Sequence, residues 1–207
     1  MATKIIENTS QIVPRWEWRA FDDNYLAFKG LFENFKPFLQ KKSEEIYFLI
    51  PNLAINVKIR YQLLDVKHRL GVDERGLEQW VPLAKYELPL NQVAVNELSK
   101  LLGFSHRNDD WPLSEVDFIS SLPREANIST VSIKKVRNRY EINDVLGEFT
   151  QIWIERRKTY TIAFEHEDPQ KINEIRRLMG IENVPNENYP EALKRLLSYT
   201  KEPLHGN

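Results

Sequence analysis

The sequence predicts an α+β protein in which a curved antiparallel sheet carries charges on its inner face and helices on its outer face. Three observations support this prediction. Charged residues two positions apart recur in most predicted strands, large apolar residues alternate with them, and several amphipathic helices need an apolar surface to cover. Because side chains alternate between the two faces of a strand, such a sheet closes into a barrel with a charged lumen. We expect one domain over residues 1–207.

Residues 55–70 show the alternation most clearly. The charged face carries Lys58, Arg60, Asp65 and Lys67, and the apolar face carries Val57, Ile59, Tyr61, Leu64, Val66 and His68. A solvated polar face is the alternative interpretation of any single charged pair. Repetition of the pairs along the chain favours a functional lumen instead.

The chain before this stretch contains two predicted strands and one helix. Arg15, Glu17 and Arg19 share one side of the first strand, opposite two tryptophans. Asn24 is a candidate helix cap, and the apolar residues after it follow helical spacing. In chain order these elements are a strand over 12–21, a helix over 25–35 and a strand over 44–50.

The middle of the chain predicts a strand over 77–88, in which Lys85 and Glu87 share a face. Pro82 indicates an edge position or a bulge in this strand. Asn91 then caps a helix that ends at Gly103.

The remaining elements follow from the same patterns. Asp168 precedes a proline and predicts the start of a helix, and Glu165 and Glu167 share the face of the strand before it. In chain order we expect a polar loop over 105–111, a strand over 113–119, a strand over 128–140, a hairpin of 149–155 with 159–167, a helix over 168–180 and a last helix from about 190.

Composition excludes several classes of function. The 29 Lys and Arg residues nearly balance the 30 Asp and Glu residues, so no general field attracts nucleic acid or a membrane surface. The absence of cysteine excludes disulfides, thiolate metal sites and a cysteine nucleophile. The 7 glycines form neither a phosphate loop nor a dinucleotide fingerprint. We expect a soluble cytoplasmic protein that binds neither nucleic acid nor membrane; its protein partners stay open.

The charged face determines the predicted chemistry. Its basic residues are Arg15, Arg19, Lys58, Arg60, Lys67, Lys85, Lys135, Arg137 and Arg139, and its acidic residues are Glu17, Asp65, Glu87, Glu165 and Glu167. Unpaired cations in a confined lumen are costly, so the lumen should hold an anion such as a triphosphate or polyphosphate. The carboxylates suit Mg²⁺ or Mn²⁺. Arg139 and Asp65 could each form an ordinary surface salt bridge instead.

The order of these segments resembles the CYTH superfamily, also called the triphosphate tunnel metalloenzymes. The family's N-terminal signature is Glu-x-Glu-x-Lys, and Arg-Trp-Glu-Trp-Arg stands at residues 15–19. The other matching segments are 57–60, 64–67, 85–87, 135–137, 162–168 and 186–190. The resemblance implies an antiparallel eight-stranded tunnel with helices packed outside, and metal-dependent hydrolysis of inorganic triphosphate or an organic triphosphate.

The resemblance also implies roles for individual residues. Phosphates would be bound by Arg15, Arg19, Lys58, Arg60, Lys67, Lys85, Lys135 and Arg137, and Mg²⁺ or Mn²⁺ by Glu17, Glu165 and Glu167. Glu87 would help to orient water.

The sequence departs from the family at three places. Arg15 replaces the first signature Glu, and Arg19 replaces the signature Lys. Glu148 and Gln151 are the nearest polar residues to an acidic pair that the family has near its penultimate strand. Two alternatives to the hydrolase therefore stay open: a polyphosphate or nucleotide binder without catalysis, favoured by Arg15, and a nucleotide cyclase of the same superfamily.

Overall fold

The computed structural model describes residues 13–105, 111–122 and 127–198. Its eight strands are β1 (Arg15–Asp22), β2 (Leu39–Leu49), β3 (Ile55–Arg60), β4 (Leu63–Val72), β5 (Glu78–Glu87), β6 (Ser129–Ile142), β7 (Val145–Ile154) and β8 (Arg157–His166). The helices of the described residues are α1 (Tyr25–Gly30), α2 (Gln92–Leu102), α3 (Glu115–Ser120), α4 (Pro169–Leu178) and α5 (Tyr189–Ser198). The strands are antiparallel and close into a barrel in the order β1-β5-β4-β3-β2-β6-β7-β8. The predicted α+β barrel is confirmed.

Cross-strand register brings charged residues from distant parts of the chain side by side. Glu17 of β1 lies opposite Glu165 of β8. Asp65 of β4 lies between Lys58 of β3 and Lys85 of β5. Residues that pair across strands point to the same face of the sheet, so these side chains share the inner face of the barrel.

Tight turns join three of the strand pairs. Tyr61 and Gln62 connect β3 to β4 with φ angles of 53° and 60°, and Asn143 and Asp144 connect β6 to β7 with 49° and 66°. Positive φ at both central residues is typical of the turns that fit the twist of a hairpin. The prediction that places Tyr61 on the apolar face is wrong, because the residue occupies this turn and is exposed. The β7–β8 turn is formed by residues 155–156, whereas the predicted turn spans residues 156–158.

Two apolar clusters cover the outer face of the barrel. The first packs α2 and α3 on β3, β4 and β5, with Val57 and Val66 of the sheet buried beneath Leu98 and Phe118. The second packs α1 and α4 on the other side, around Trp18, Phe32, Phe164 and Ile172. Apolar burial therefore holds these four helices outside the barrel.

The helix α5 packs differently, against apolar residues on the inner face. By strand alternation, Tyr47 of β2, Ile133 of β6 and Ile152 of β7 point inward, and they cluster with Leu193 and Leu196 of α5. The helix thus fills one end of the barrel with apolar side chains. Only the rest of the lumen is charged.

Most of the predicted local signals are confirmed. Asn91 caps α2 by accepting from the backbone N–H of Ala94, and Gly103 ends that helix with a φ of 75°. Asp168 caps α4 in the same manner. Pro82 pairs with Lys67 where the β4–β5 register shifts, as expected for a bulge.

The strand predicted over 113–119 is wrong. Residues 115–120 form α3, whose N-terminus carries a capping box between Ser114 and Asp117. The hydroxyl and the carboxylate each accept from the other residue's backbone N–H, which stabilises a helix start. Most of the loop predicted over 105–111 lies outside the described residues. No helix among the described residues combines the length and apolar character needed to cross a membrane.

The outer cluster provides a test of how the barrel is covered. Leu98→Ala is expected to lower the free energy of unfolding by about 2–5 kcal/mol, because it leaves a cavity between α2 and the sheet. Urea denaturation monitored by tryptophan fluorescence measures this. Val93→Ala, on the exposed side of the same helix, should change stability by less than about 0.5 kcal/mol. Equal effects of the two substitutions would contradict the packing.

Candidate functional site

A polar cavity lies in the charged part of the lumen. Its volume is about 140 Å³, whereas one water molecule needs roughly 10–15 Å³, so the space accommodates several waters or a small polyatomic anion. Among the described residues, its charged lining consists of seven cations and four carboxylates: Arg19, Lys58, Arg60, Lys67, Lys135, Arg137, Arg139, Glu17, Asp65, Glu148 and Glu165. The lining is therefore strongly charged and carries an excess of positive charge.

The structure brings most of the predicted phosphate-binding residues together. Six of the eight line the inner cavity: Arg19, Lys58, Arg60, Lys67, Lys135 and Arg137. The other two, Arg15 and Lys85, line an adjoining cavity of about 430 Å³. The two cavities adjoin, because they share Lys67 and Glu165. We call the second cavity the mouth. Arg139 and Asp65 also line the inner cavity. They therefore lie in the lumen and not in surface salt bridges.

Glu87 does not line either cavity among the described residues. It is exposed at the end of β5, opposite Leu63. This position does not support the role in orienting water that is predicted for Glu87, and that role stays a prediction.

Glu45 is a central residue of the lumen that the sequence analysis missed. Its side chain is completely buried, and four cations surround it. The distances from their nitrogens to its carboxylate oxygens are 3.0 Å for Lys135, 3.4 Å for Arg60, 3.6 Å for Lys58 and 3.9 Å for Arg137. Ser43 Oγ donates a further hydrogen bond of 3.0 Å. Glu45 is therefore the buried counter-ion that joins the cations of β3 to those of β6.

Burial and charge act in opposite directions on the protonation of this cluster. Burial alone would raise the pKa of Glu45, but Lys135, Lys58 and Arg60 outweigh it and lower this pKa far below its ordinary value. Burial lowers the pKa of Lys135 to about 7, although Glu45 opposes that change. Burial likewise lowers the pKa of Lys58. The carboxylate is thus ionised at neutral pH, and Lys135 is the cation whose charge changes most readily.

Arg19 holds two further carboxylates of the lumen. Its Nε donates to Glu17 Oε1 at 2.8 Å, and its Nη1 donates to Glu148 Oε1 at 3.1 Å. Thr150 Oγ1 also donates to Glu148. Burial alone would raise the pKa of Glu148, but Arg19, Arg137 and Lys135 outweigh it and lower the pKa to about 2. The guanidinium therefore fixes the positions of both carboxylates.

Two stacked tyrosines form the inner end of the cavity. The rings of Tyr47 and Tyr189 lie 5.2 Å apart at their centroids. The Lys135 ammonium lies 3.7 Å from the Tyr189 ring centroid, and the Arg19 guanidinium lies 4.6 Å from it. Cations over aromatic faces are stabilised electrostatically, so these rings contribute to holding the basic cluster.

A buried carboxylate joins the last helix to the barrel. Glu78 of β5 accepts from Asn188 Nδ2 at 2.9 Å and from Trp80 Nε1 at 3.1 Å, and it also pairs with Arg69 of β4. Because Asn188 directly precedes α5, these bonds fix the position of Tyr189. The 186–190 segment is one of those that carry the family resemblance, but local sequence does not predict Glu78 as its partner.

The predicted metal ligands are only partly brought together. Glu17 and Glu165 are cross-strand neighbours that line both cavities, whereas Glu167 lines the mouth alone. Within ranges 13–105, 111–122 and 127–198, no three carboxylate or histidine side chains form a group able to hold a metal ion. Burial, and next the charge of Glu17, raise the pKa of Glu165, and they outweigh the opposing charges of Lys67 and Arg19. Since Mg²⁺ commonly binds one or two carboxylates together with substrate phosphates, Glu17 and Glu165 fit one such ion.

Sequence reasoning could have found Glu45 from one signal. Ser43, Glu45 and Tyr47 alternate along β2, and Tyr47 is on the same face as the cavity. The predicted strand over 44–50 contains Glu45 and Tyr47 but not Ser43. The pairing of β2 with β6, which places Lys135 beside Ser43 and Glu45, depends on a contact across 90 positions.

Comparisons with known proteins support the fold. No protein-family model and no curated protein match the chain. A Hippeastrum protein, described as a candidate adenylyl cyclase with a dominant triphosphatase activity, matches with a TM-score of 0.51 and 14% identity, over 93% of this chain and 100% of that one. A candidate adenylate cyclase from Bacillus halodurans matches with a TM-score of 0.50 and 14% identity, over 89% and 98%. A protein from Pyrococcus horikoshii OT3 matches with a TM-score of 0.48 and 21% identity, over 86% and 98%. The first two matches show that the chain shares their fold.

The role of Glu45 as buried counter-ion can be tested by removing its charge. Glu45→Gln is expected to lower the free energy of unfolding at pH 7 by about 3–5 kcal/mol, because it leaves buried cations without their anion. Chemical denaturation measures this. The control is Glu44→Gln, which removes the neighbouring carboxylate from an exposed pair with Lys134 and should cost less than about 1 kcal/mol. Similar costs for both variants would contradict the assignment.

The lowered pKa of Glu148 predicts acid sensitivity. Because this pKa lies below the unfolded value of about 4.3, the ionised group stabilises the fold above that pH, and this contribution is lost as the pH falls through about 2. Denaturation curves between pH 6 and pH 2 should show a smaller acid-induced loss of stability in Glu148→Gln than in the wild type. Glu44→Gln should keep the wild-type pH dependence. Parallel curves for wild type and Glu148→Gln would refute this origin.

Proposed function

We propose that the chain is a metal-dependent hydrolase of inorganic triphosphate or an organic triphosphate, which it binds in the basic lumen. The observation that carries this proposal is the convergence of cations from β1, β3, β4 and β6 on one enclosed cavity, beside the carboxylate pair of Glu17 and Glu165. A small anion with several negative charges is the ligand that such a lining favours.

The lumen suits phosphate chemistry in particular. Arg60 and Arg137 offer planar guanidinium groups that can bind phosphate oxygens in a bidentate manner. Lys58 and Lys67 add compact point charges. Glu45 neutralises only part of this positive charge. An entering anion would supply the negative charge that the described side chains lack.

Glu17 and Glu165 would hold Mg²⁺ or Mn²⁺ at the boundary of the inner cavity and the mouth. When bound, such an ion supplies charge neutralisation on the phosphates and a more acidic water. Arg19 keeps Glu17 oriented through its 2.8 Å hydrogen bond. The lumen cations stabilise the charge on the transferred phosphoryl group, which is the main requirement of phosphoryl-transfer catalysis.

The Hippeastrum protein adds support because it shares this fold and is described as having a dominant triphosphatase activity. The likeness concerns the fold, so the activity comes to this chain as part of the proposal. The residues that the proposal relies on are those of the lumen itself.

A second candidate function is binding of a triphosphate or polyphosphate without hydrolysis. The observation that favours it is Arg15, an exposed cation at the mouth next to Glu17, where the resemblance implies a carboxylate ligand. A cation at this position strengthens anion binding and weakens metal binding.

Binding and turnover assays separate the candidates. Phosphate release is measured with inorganic triphosphate and nucleoside triphosphates, with Mg²⁺, with Mn²⁺ and with neither, and cyclic nucleotide products are analysed in parallel. The hydrolase proposal predicts metal-dependent phosphate release that Glu165→Gln abolishes while the fold and triphosphate binding remain. Binding without turnover under every metal condition would favour the second candidate, and a cyclic product would favour a cyclase.

Lumen cations can be tested independently of turnover. Lys58→Ala and Arg60→Ala should each weaken triphosphate binding by about tenfold or more, as expected for losing a charged hydrogen-bond donor. The matched control is Lys134→Ala, which removes an exposed lysine from the outer face of β6. Unchanged affinity in both lumen variants would refute the assignment of the binding site.

A further inference from the structure

Tyr189 stands at the inner end of the lumen, where the charged and apolar parts meet. It is the first residue of α5 and lines the inner cavity, with only 7% of its surface exposed. One ring face stacks with Tyr47, and Phe21 packs edge-on against the ring, with 5.2 Å between the two ring centroids. Its position is fixed because the preceding Asn188 is bonded to Glu78.

The hydroxyl of Tyr189 is buried and has no hydrogen-bond partner among the residues that the structure describes. An unsatisfied buried polar group is destabilising, and native proteins rarely keep one without a reason. Packing alone does not explain this oxygen, since phenylalanine would fill the same space without that cost. The neighbouring Tyr47 differs, because its hydroxyl accepts from Lys135 Nζ at 2.8 Å.

The surroundings of the Tyr189 side chain are strongly charged, with two cations of the lumen beside the ring. Lys135 and Arg19 lie against its ring. Burial raises the pKa of the phenol, and the negative charges of Glu148 and Glu45 add to this against the opposing effect of Arg19. The group therefore keeps its proton at neutral pH and can donate a hydrogen bond. Its natural acceptor in a basic cavity is an oxygen of the bound anion.

We infer that the Tyr189 hydroxyl contacts the substrate directly, donating a hydrogen bond to a phosphate oxygen at the inner end of the lumen. The inference rests on the proposed function, in that the anion is the triphosphate bound there. Because α5 closes this end with apolar side chains, the phosphate that reaches Tyr189 is the terminal one. A hydroxyl bonded to an anionic oxygen makes a short, strong hydrogen bond.

The test is Tyr189→Phe, which removes only the hydroxyl. Stability without ligand should be unchanged or slightly higher, because an unpartnered polar atom is lost. Affinity for inorganic triphosphate, measured by calorimetry without metal, should fall by about 10- to 100-fold, the range for a hydrogen bond to a charged group.

The matched control is Tyr86→Phe. Tyr86 lies in the outer cluster, and its hydroxyl donates to Glu97 Oε2 at 2.5 Å. This variant should show the opposite pattern, with lower stability and unchanged triphosphate affinity. The pair separates a hydroxyl that binds the ligand from one that stabilises the fold.

Each other outcome is decisive. Unchanged affinity of Tyr189→Phe, with the wild type binding triphosphate, would overturn the inference and leave the proposed function standing. Loss of stability or folding in Tyr189→Phe would also overturn it, because it would show that the hydroxyl has a partner in the protein. A wild type that binds no triphosphate would refute the proposed function, and the inference with it.

Discussion

The structure depends on the neutralisation of buried positive charge. Cations from several strands point into a closed barrel, and their burial would be prohibitive without anions beside them. Glu45 meets this requirement at the centre, where it accepts from Lys135 and lies within 4 Å of Lys58, Arg60 and Arg137. Since these residues belong to β2, β3 and β6, the contacts that neutralise the buried charge also join three strands. The neutralisation of these charges and the joining of these strands therefore depend on the same contacts.

The barrel divides its interior into two parts with different physical roles. At one end, Leu193 and Leu196 of α5 bury apolar surface against the inward side chains of the strands, which contributes stability in the usual way. At the other end, the space is lined by charges that the protein neutralises only in part. Tyr189 lies at the boundary, with its ring among aromatic neighbours and its hydroxyl without a partner in the described structure. The interior is therefore apolar at one end and lined by an excess of basic side chains at the other.

Arg19 illustrates how one cation holds two carboxylates of the lumen. Its guanidinium occupies the space between Glu17 and Glu148 and donates to both, so two carboxylates that could otherwise attract cations are already paired. Glu165 remains beside Glu17, and its pKa is raised first by burial and next by the charge of Glu17. Glu17 and Glu148 are therefore paired with a cation of the lumen, whereas Glu165 lies beside another carboxylate.

The sequence alone determined the fold class and the inner face of the barrel, because both follow from local periodicity. Alternation within a strand is enough to place Lys58 and Arg60 on one face, and cap residues such as Asn91 and Asp168 predict where helices begin. The local pattern gave the wrong element at 113–119, because strand and helix periods are hard to distinguish over a few residues. The capping box that begins at Ser114 stabilises a helix there. Only the tertiary structure decided which strands pair, and therefore that Glu45 meets Lys135, that Glu78 binds Asn188 and that α5 enters the barrel end. The physical reason is that the Glu45–Lys135 and Glu78–Asn188 contacts join residues 90 and 110 positions apart, and their energies depend on burial and charge, which no local pattern contains.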